Sequence, residues 1–131
     1  MEANEEQSIR NLIVRAALVA DELPLEAYAS VYSDDALVEN SAGTVAGITA
    51  ITEGAEGRRS AGTAGPGSHT RHFVTPLSVD IDGDHATATS YFVVLGKVAE
   101  IPTPLVFGVY DDTLARTSAG WRITNRVTRA E

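Results

Sequence analysis

His72, in the stretch TRHFVTPLSVDIDGD, carries the side chain best suited to move a proton near neutral pH, because an imidazole works as both acid and base there. It stands at the head of an otherwise apolar, strand-like run. With uninterrupted alternation, His72 and Val74 share a face with Ser78 and Asp80, a solvated set, and Phe73, Thr75, Leu77, Val79 and Ile81 take the other face. Pro76 has no N–H to give to a ladder and belongs at an edge or a bulge. One bulge residue near Thr75-Pro76 switches the alternation, and His72 and Val74 then join Leu77, Val79 and Ile81 on the inner face. The residues are compatible with both registers.

A histidine base needs a group that orients its ring and fixes its tautomer. Asp21, in ALVADELPL, is the best partner available. It falls four residues after Ala17 and eight after Ile13, on the border of an apolar helical stripe. A carboxylate there either faces solvent at the rim or is buried and must find a donor. No spacing rule ties residue 21 to residue 72.

Other side chains carry weaker signals. His69 and His72 are three apart, which on a strand sets them on opposite faces, so a two-histidine metal site has little support and no metal is expected. His85 follows DGD at an expected hairpin and reads as exposed. Tyr28, Tyr32, Tyr91 and Asn40 are candidates to bind a substrate oxygen, with amphipathic packing the commoner role for the tyrosines. The wall of a pocket is expected from Ile9, Leu12, Val74, Phe92, Val94 and Phe107. The doublets Asp34-Asp35, Asp111-Asp112 and Arg58-Arg59 read as solvated turn or loop charges. GxSxG, Walker-type and dinucleotide glycine patterns are absent, so there is little sign of nucleophilic hydrolysis, phosphoryl transfer or hydride transfer.

These residues must be positioned by the elements around them. From Ser8 to Leu23, apolar side chains at Ile9, Leu12, Ile13, Ala16, Ala17, Ala20 and Leu23 follow the i, i+3, i+4 rule and predict a helix with one buried stripe. Pro24 interrupts it and suits the first turn of a second helix over LEAYASVY, with Leu25, Tyr28, Ala29 and Tyr32 on one face. ALVEN reads as a short strand, and GITAITEGAEGRR as a helix weakened by its glycines. Residues 60 to 69, SAGTAGPGSH, are expected to form a mobile loop. The second half holds four strand-like runs, TRHFVTPLSVDI, HATATSYFVVLGKV, PLVFGVYDDTLART and GWRITNRVTR, with DGD and SAG as tight turns. Helices followed by an antiparallel meander make an α+β fold, with a ligand cavity where helices cross a curved sheet.

The whole chain of 131 residues, 1–131, suits a single domain. A net charge of −8, from 18 acidic and 10 basic residues, argues against nucleic acid and against an anionic membrane surface as partners. No cysteine is present, which excludes a disulfide framework, a thiolate metal site and a cysteine nucleophile. The first apolar stretch follows Glu2, Glu5 and Glu6 and contains Arg10 and Arg15, so neither a signal peptide nor a membrane span is expected and a cytoplasmic protein is the default.

The order and spacing of ALVADELPLEAYASVYSDDALVE, GTVAGITAI, TRHFVTPLSVDIDGDHATATSYFVVL and GVYDDTLARTSAGWRI resemble the SnoaL-like group of the NTF2-like superfamily over nearly the whole chain. The resemblance implies a cone-shaped α+β barrel, with N-terminal helices packed on a strongly curved, mostly antiparallel sheet that encloses a pocket, and frequent homodimers. In the scytalone-dehydratase-like and bile-acid-dehydratase-like branch it implies acid–base work without a cofactor, by an Asp on the first helix and a His at the start of a strand. Asp21 and His72 stand at those positions. The tyrosine those dehydratases carry shortly before the Asp has no counterpart in Ala16 to Ala20, and the second pocket histidine of the scytalone enzyme is matched by Phe92.

The expected function is therefore a cofactor-independent dehydratase, isomerase or cyclase acting on a small apolar or polycyclic carbonyl or hydroxy compound of polyketide or steroid type. The competing expectation is a non-catalytic module that binds a small molecule or another chain, such as a β-subunit-like partner of an aromatic-ring dioxygenase, since fold alone does not decide function. The enzyme is favoured by the Asp21 carboxylate within hydrogen-bond reach of the His72 ring, or one bridging water away, beside an open cavity; the module is favoured by a separation beyond ~6 Å.

Overall fold

In the computed structural model, which describes residues 2–131, the chain begins with α1 (Glu2–Asp21). The apolar period places Ile9, Ile13, Ala16 and Val19 in the core and leaves Val14 and Leu18 exposed on the far side. Ile9, Ile13 and Val19 are wholly buried, and each contributes roughly 1.5–3 kcal/mol by leaving water. Pro24 caps a short 3-10 helix (Leu25–Ser30). The expected α-helix over LEAYASVY stops there, and Tyr32 belongs to a strand instead. The cause is long-range pairing, since the Val31 carbonyl accepts the Ile123 N–H at 2.8 Å and draws the chain into the sheet.

The remaining elements are β1 (Tyr32–Asn40), β2 (Gly43–Ala46), α2 (Ile48–Ser60), β3 (Arg71–Asp82), β4 (His85–Gly96), β5 (Thr103–Thr117) and β6 (Gly120–Ala130). They form one six-stranded sheet in the order β2-β1-β6-β5-β4-β3. The β1–β6 pair is parallel and the other neighbours are antiparallel. The sheet curls without closing into a barrel, so β2 and β3 remain as edges.

Single-residue bulges bend the long strands and reset which residues face inward. In β3, Pro76 pairs with Ser90 and Ser78 with Thr89, which leaves Leu77 unpaired. In β5 the extra residue is Leu105, and in β6 it is Thr124. Gly108 of β5 is required by close packing: a Cβ there would run into the Arg129 carbonyl and lie 2.9 Å from the Phe92 ring.

The concave face has two parts. At one end Ala86, Ala88, Leu114, Trp121 and Ile123 join Ile9 and Ile13 in a closed core. Toward the other end the helices do not fill the cone. There α1 presents only Ala16, Ala17 and Ala20, and the missing side-chain volume leaves a cavity of about 420 Å³. Among the described residues, no helix is long and apolar enough to cross a membrane.

Candidate active site

Asp21 is the last residue of α1 and is buried. A carboxylate at a helix C-terminus meets the negative end of the helix dipole, and a buried one must be satisfied by donors. His72 supplies two. Its backbone N–H donates to Asp21 Oδ2 at 2.8 Å, and its Nδ1 lies 2.7 Å from Asp21 Oδ1. An ionised carboxylate only accepts hydrogen bonds, so opposite it Nδ1 is the donor, and a neutral ring held that way carries its lone pair on Nε2; the His72 side chain lines the cavity. A second ion pair, Glu22 to Arg71 at 2.5 Å, ties the same helix end to the same strand start.

The β3 bulge turns His72 inward, as the second of the two registers requires, one position later than Thr75-Pro76. His72, Val74 and Pro76 are partly buried on the inner side, and after Leu77 the inner set continues at Val79 and Ile81. Leu77, expected among the inner residues, is 44% exposed because it is itself the looped-out residue.

A second charged pair lies in the same cone. The Asp112 carboxylate accepts from Arg126 Nε at 2.7 Å and from Nη2 at 2.9 Å. The remaining Nη1 is 3.4 Å from the Tyr32 hydroxyl, and the guanidinium lies 3.9 Å from the Tyr110 ring centre. Tyr110 in turn stacks on Phe92, with ring centres 4.1 Å apart. Burial works against the Arg126 charge, but Asp112 and the neighbouring phenols outweigh it and hold the guanidinium above the ordinary arginine range. Burial pushes the Tyr110 hydroxyl up to about 12, against the pull of Arg126. Burial, and next the neighbouring Tyr32, raise Tyr28 as well, with Arg58 and Arg59 opposing. Tyr28 and Tyr110 are therefore neutral phenols, able to donate a hydrogen bond to a ligand oxygen.

Of the residues expected at the site, His72, Tyr28, Tyr32, Asn40, Val74 and Phe92 line the cavity, and Asp21 stands directly behind His72. Val94 also lines it, whereas Ile9 and Leu12 belong to the packed core. Tyr91 and Phe107 do not line it: both are about half exposed on the outer face, with ring centres 6.4 Å apart. Neighbouring residues on a strand point to opposite faces, so Tyr91 and Phe92 cannot both enter the cone, and in β5 the inner positions are Val106, Gly108 and Tyr110.

Arg126, Asp112, Tyr110 and Arg58 lie in or beside the cavity without being among the residues expected there. Asp112 is 2% exposed, contrary to the expected solvated charge, and Arg58 lines the cavity. Arg59 donates from Nη2 to the carbonyls of Val19 and Leu23 at the end of α1. A signal for Asp112 was present, since it shares strand parity with Tyr110 and Leu114, where a carboxylate requires a buried cation.

The family model for the SnoaL-like domain matches residues 1–127. The chain belongs to the SnoaL-like domain family. No curated protein matches the chain. Among solved structures, this SnoaL-like domain is similar to an NTF2-like protein with a cystatin-like fold from Novosphingobium aromaticivorans, with 27% identity, a TM-score of 0.84, and 98% of this chain and 82% of that chain covered. A protein of the same organism assigned as a scytalone dehydratase is similar at 16% identity and a TM-score of 0.74, over 99% of this chain and 86% of that one. So is the β subunit of a protein assigned there as an aromatic-ring-hydroxylating dioxygenase, at 18% identity and a TM-score of 0.76, over 100% and 92%. The last two establish a shared fold. The SnoaL-like domain thus has the NTF2-like architecture, an α+β cone whose sheet is curled and mostly antiparallel.

Proposed function

We propose that this SnoaL-like domain is an acid–base enzyme that moves a carbon-bound proton of a small, largely apolar carbonyl or hydroxy compound, in a dehydration, isomerisation or cyclisation. The observation that carries this reading is the Asp21–His72 pair, in which one carboxylate accepts both the backbone amide and Nδ1 of His72 beside an open cavity. That arrangement makes Nε2 the base, and Asp21 stabilises the imidazolium formed when the proton is taken. Val74, Phe92, Val94 and Val106 provide an apolar wall for the substrate body. The Tyr32 oxygen accepts from Arg126, so its own hydrogen is free to donate to a substrate oxygen where negative charge develops. His72, reprotonated, then returns the proton to carbon or to a leaving hydroxyl.

The test is solvent exchange. The protein is incubated in D₂O with 1-tetralone, 2-tetralone and related bicyclic ketones, and loss of the α-proton signals is followed by NMR. Protein-dependent exchange is expected, reduced about 10²–10⁴-fold in His72→Ala. Exchange that is the same in His72→Ala as in the wild type would refute the reading and leave a binding module.

We also infer a homodimer through the outer face of β3, β4 and β5. Phe73, Val93 and Phe107 sit in one cross-strand row, because Phe73 pairs with Val93 and Val93 with Phe107. Exposed Tyr91 lies beside them, and a contiguous apolar patch of this kind marks an interface. Light scattering should give twice the chain mass, and Phe107→Asp should reduce it to the monomer value.

A further inference from the structure

The chain carries 18 acidic side chains, yet among the described residues none of them lines the cavity, whose wall holds Arg58 and Arg126 as permanently charged residues. Arg126 is neutralised by Asp112, to which it donates two hydrogen bonds. Arg58 is not. Among the described residues it makes no ion pair, although every other arginine near the sheet's concave side is held by a carboxylate or by carbonyls. It projects from the last turn of α2, is solvent-exposed, and forms part of the cavity wall with Tyr28 and Ile51. One turn earlier on α2 stands Gly54, where a Cβ would come within 3.4 Å of Arg58 Nη1, so the guanidinium lies back along the helix over a residue with no side chain. A glycine inside a helix is destabilising relative to alanine, and here it coincides with the space the guanidinium occupies.

A cation without a counter-ion, at the rim of an apolar cavity in a chain of net charge −8, is a receptor for an anion. One guanidinium balances one negative charge, and its planar fork matches a carboxylate through two parallel hydrogen bonds. A phosphate dianion would call for further unpaired cations, and among the described residues the cavity wall holds none. We propose that the ligand is a carboxylic acid: its carboxylate is bound by Arg58 at the mouth and its apolar body lies against Val74 and Phe92, where His72 reaches it. The inference builds on the acid–base reading by naming the substrate class, and Arg58 is its specificity-determining residue.

Binding of 1-naphthylacetate, its methyl ester and its amide separates the two ideas. Dissociation constants are measured by calorimetry or by NMR titration for the wild type, Arg58→Gln and His72→Ala. The acid is expected to bind at least about ten-fold more tightly than the ester and amide, the scale of a charge-assisted hydrogen bond. Arg58→Gln should bring the three ligands to within about two-fold of one another, and His72→Ala should retain the preference. An acid that binds the wild type no better than its ester, or that keeps its advantage in Arg58→Gln, overturns the assignment. Because binding is read without turnover, failure of the proton-transfer reading leaves this result intact, and an active enzyme with no acid preference sinks the carboxylate alone.

Discussion

Asp21 and Asp112 are both buried carboxylates facing nitrogen donors inside one cone, and they end in different electrostatic states. Asp112 spends both oxygens on a single guanidinium, whose last amino group is directed at Tyr32 and whose flat face covers Tyr110. Its partner is a permanent cation, and the pair is closed. Asp21 spends one oxygen on an amide and the other on one nitrogen of a ring that has a second nitrogen to spare. A pair whose valences are all used holds a structure together, whereas a pair with an unused, titratable position can exchange a proton with a guest.

Asparagine at each position sharpens this contrast. In Asp21→Asn the side-chain amide can donate to Nδ1, which moves the ring hydrogen to Nε2 and removes the base. Proton transfer should fall on the order of 10³–10⁴-fold, as a wrong tautomer does in a catalytic triad, with stability nearly unchanged. The exchange assay and the ring ¹⁵N shifts of His72 would report the two halves of that outcome. Asp112→Asn should behave the other way. It leaves Arg126 buried without a counter-charge and should lower unfolding stability by about 3–5 kcal/mol, read from denaturant titration. The double variant Asp112→Leu/Arg126→Met should recover much of that loss.

The smallest of these effects is a pH dependence in the closed region. Tyr110 holds its proton to about 12 in the fold against an ordinary value of 10.0, chiefly because it is buried. Between those values the unfolded chain releases the proton and the folded chain does not, so this contribution is complete below pH 10 and is lost as the pH rises to about 12. The decline is on the order of 2–3 kcal/mol, and Tyr110→Phe should flatten it in urea unfolding curves taken across that range.

The contrast also separates what could be read in the residues from what could not. The 3.6-residue period of α1 and the four strand runs are local signals, and they appear as α1 and β3 to β6. The Asp21–His72 pairing is not local. Fifty-one positions separate the two residues, and a family resemblance connected them where spacing had no rule to offer. Bulges defeat simple alternation most thoroughly. In β6, Trp121 and Ile123 face inward on odd positions, and after Thr124 the inner set becomes Arg126 and Thr128. A single parity drawn through GWRITNRVTR therefore places either the core residues or the cavity arginine on the wrong side. Asp112 shows the opposite case: its strand is regular there and parity with Tyr110 and Leu114 turns it inward, whereas its polar type and its neighbour Asp111 point to solvent.

The contact between Asp21 and the His72 backbone also bears on the edge of the sheet. Strand β3 ends the sheet, and an exposed edge offers unpaired amides and carbonyls to any extended chain that comes alongside. Helix α1 removes two of these points, the His72 amide through Asp21 and the Pro76 carbonyl through Arg10 at 3.2 Å. Pro76 itself contributes no N–H, and the adjacent Leu77 bulge breaks the flatness that strand addition needs. Asp21, which orients the proposed base, thus also covers part of the β3 edge, and an apolar replacement should leave that edge open to intermolecular β-pairing.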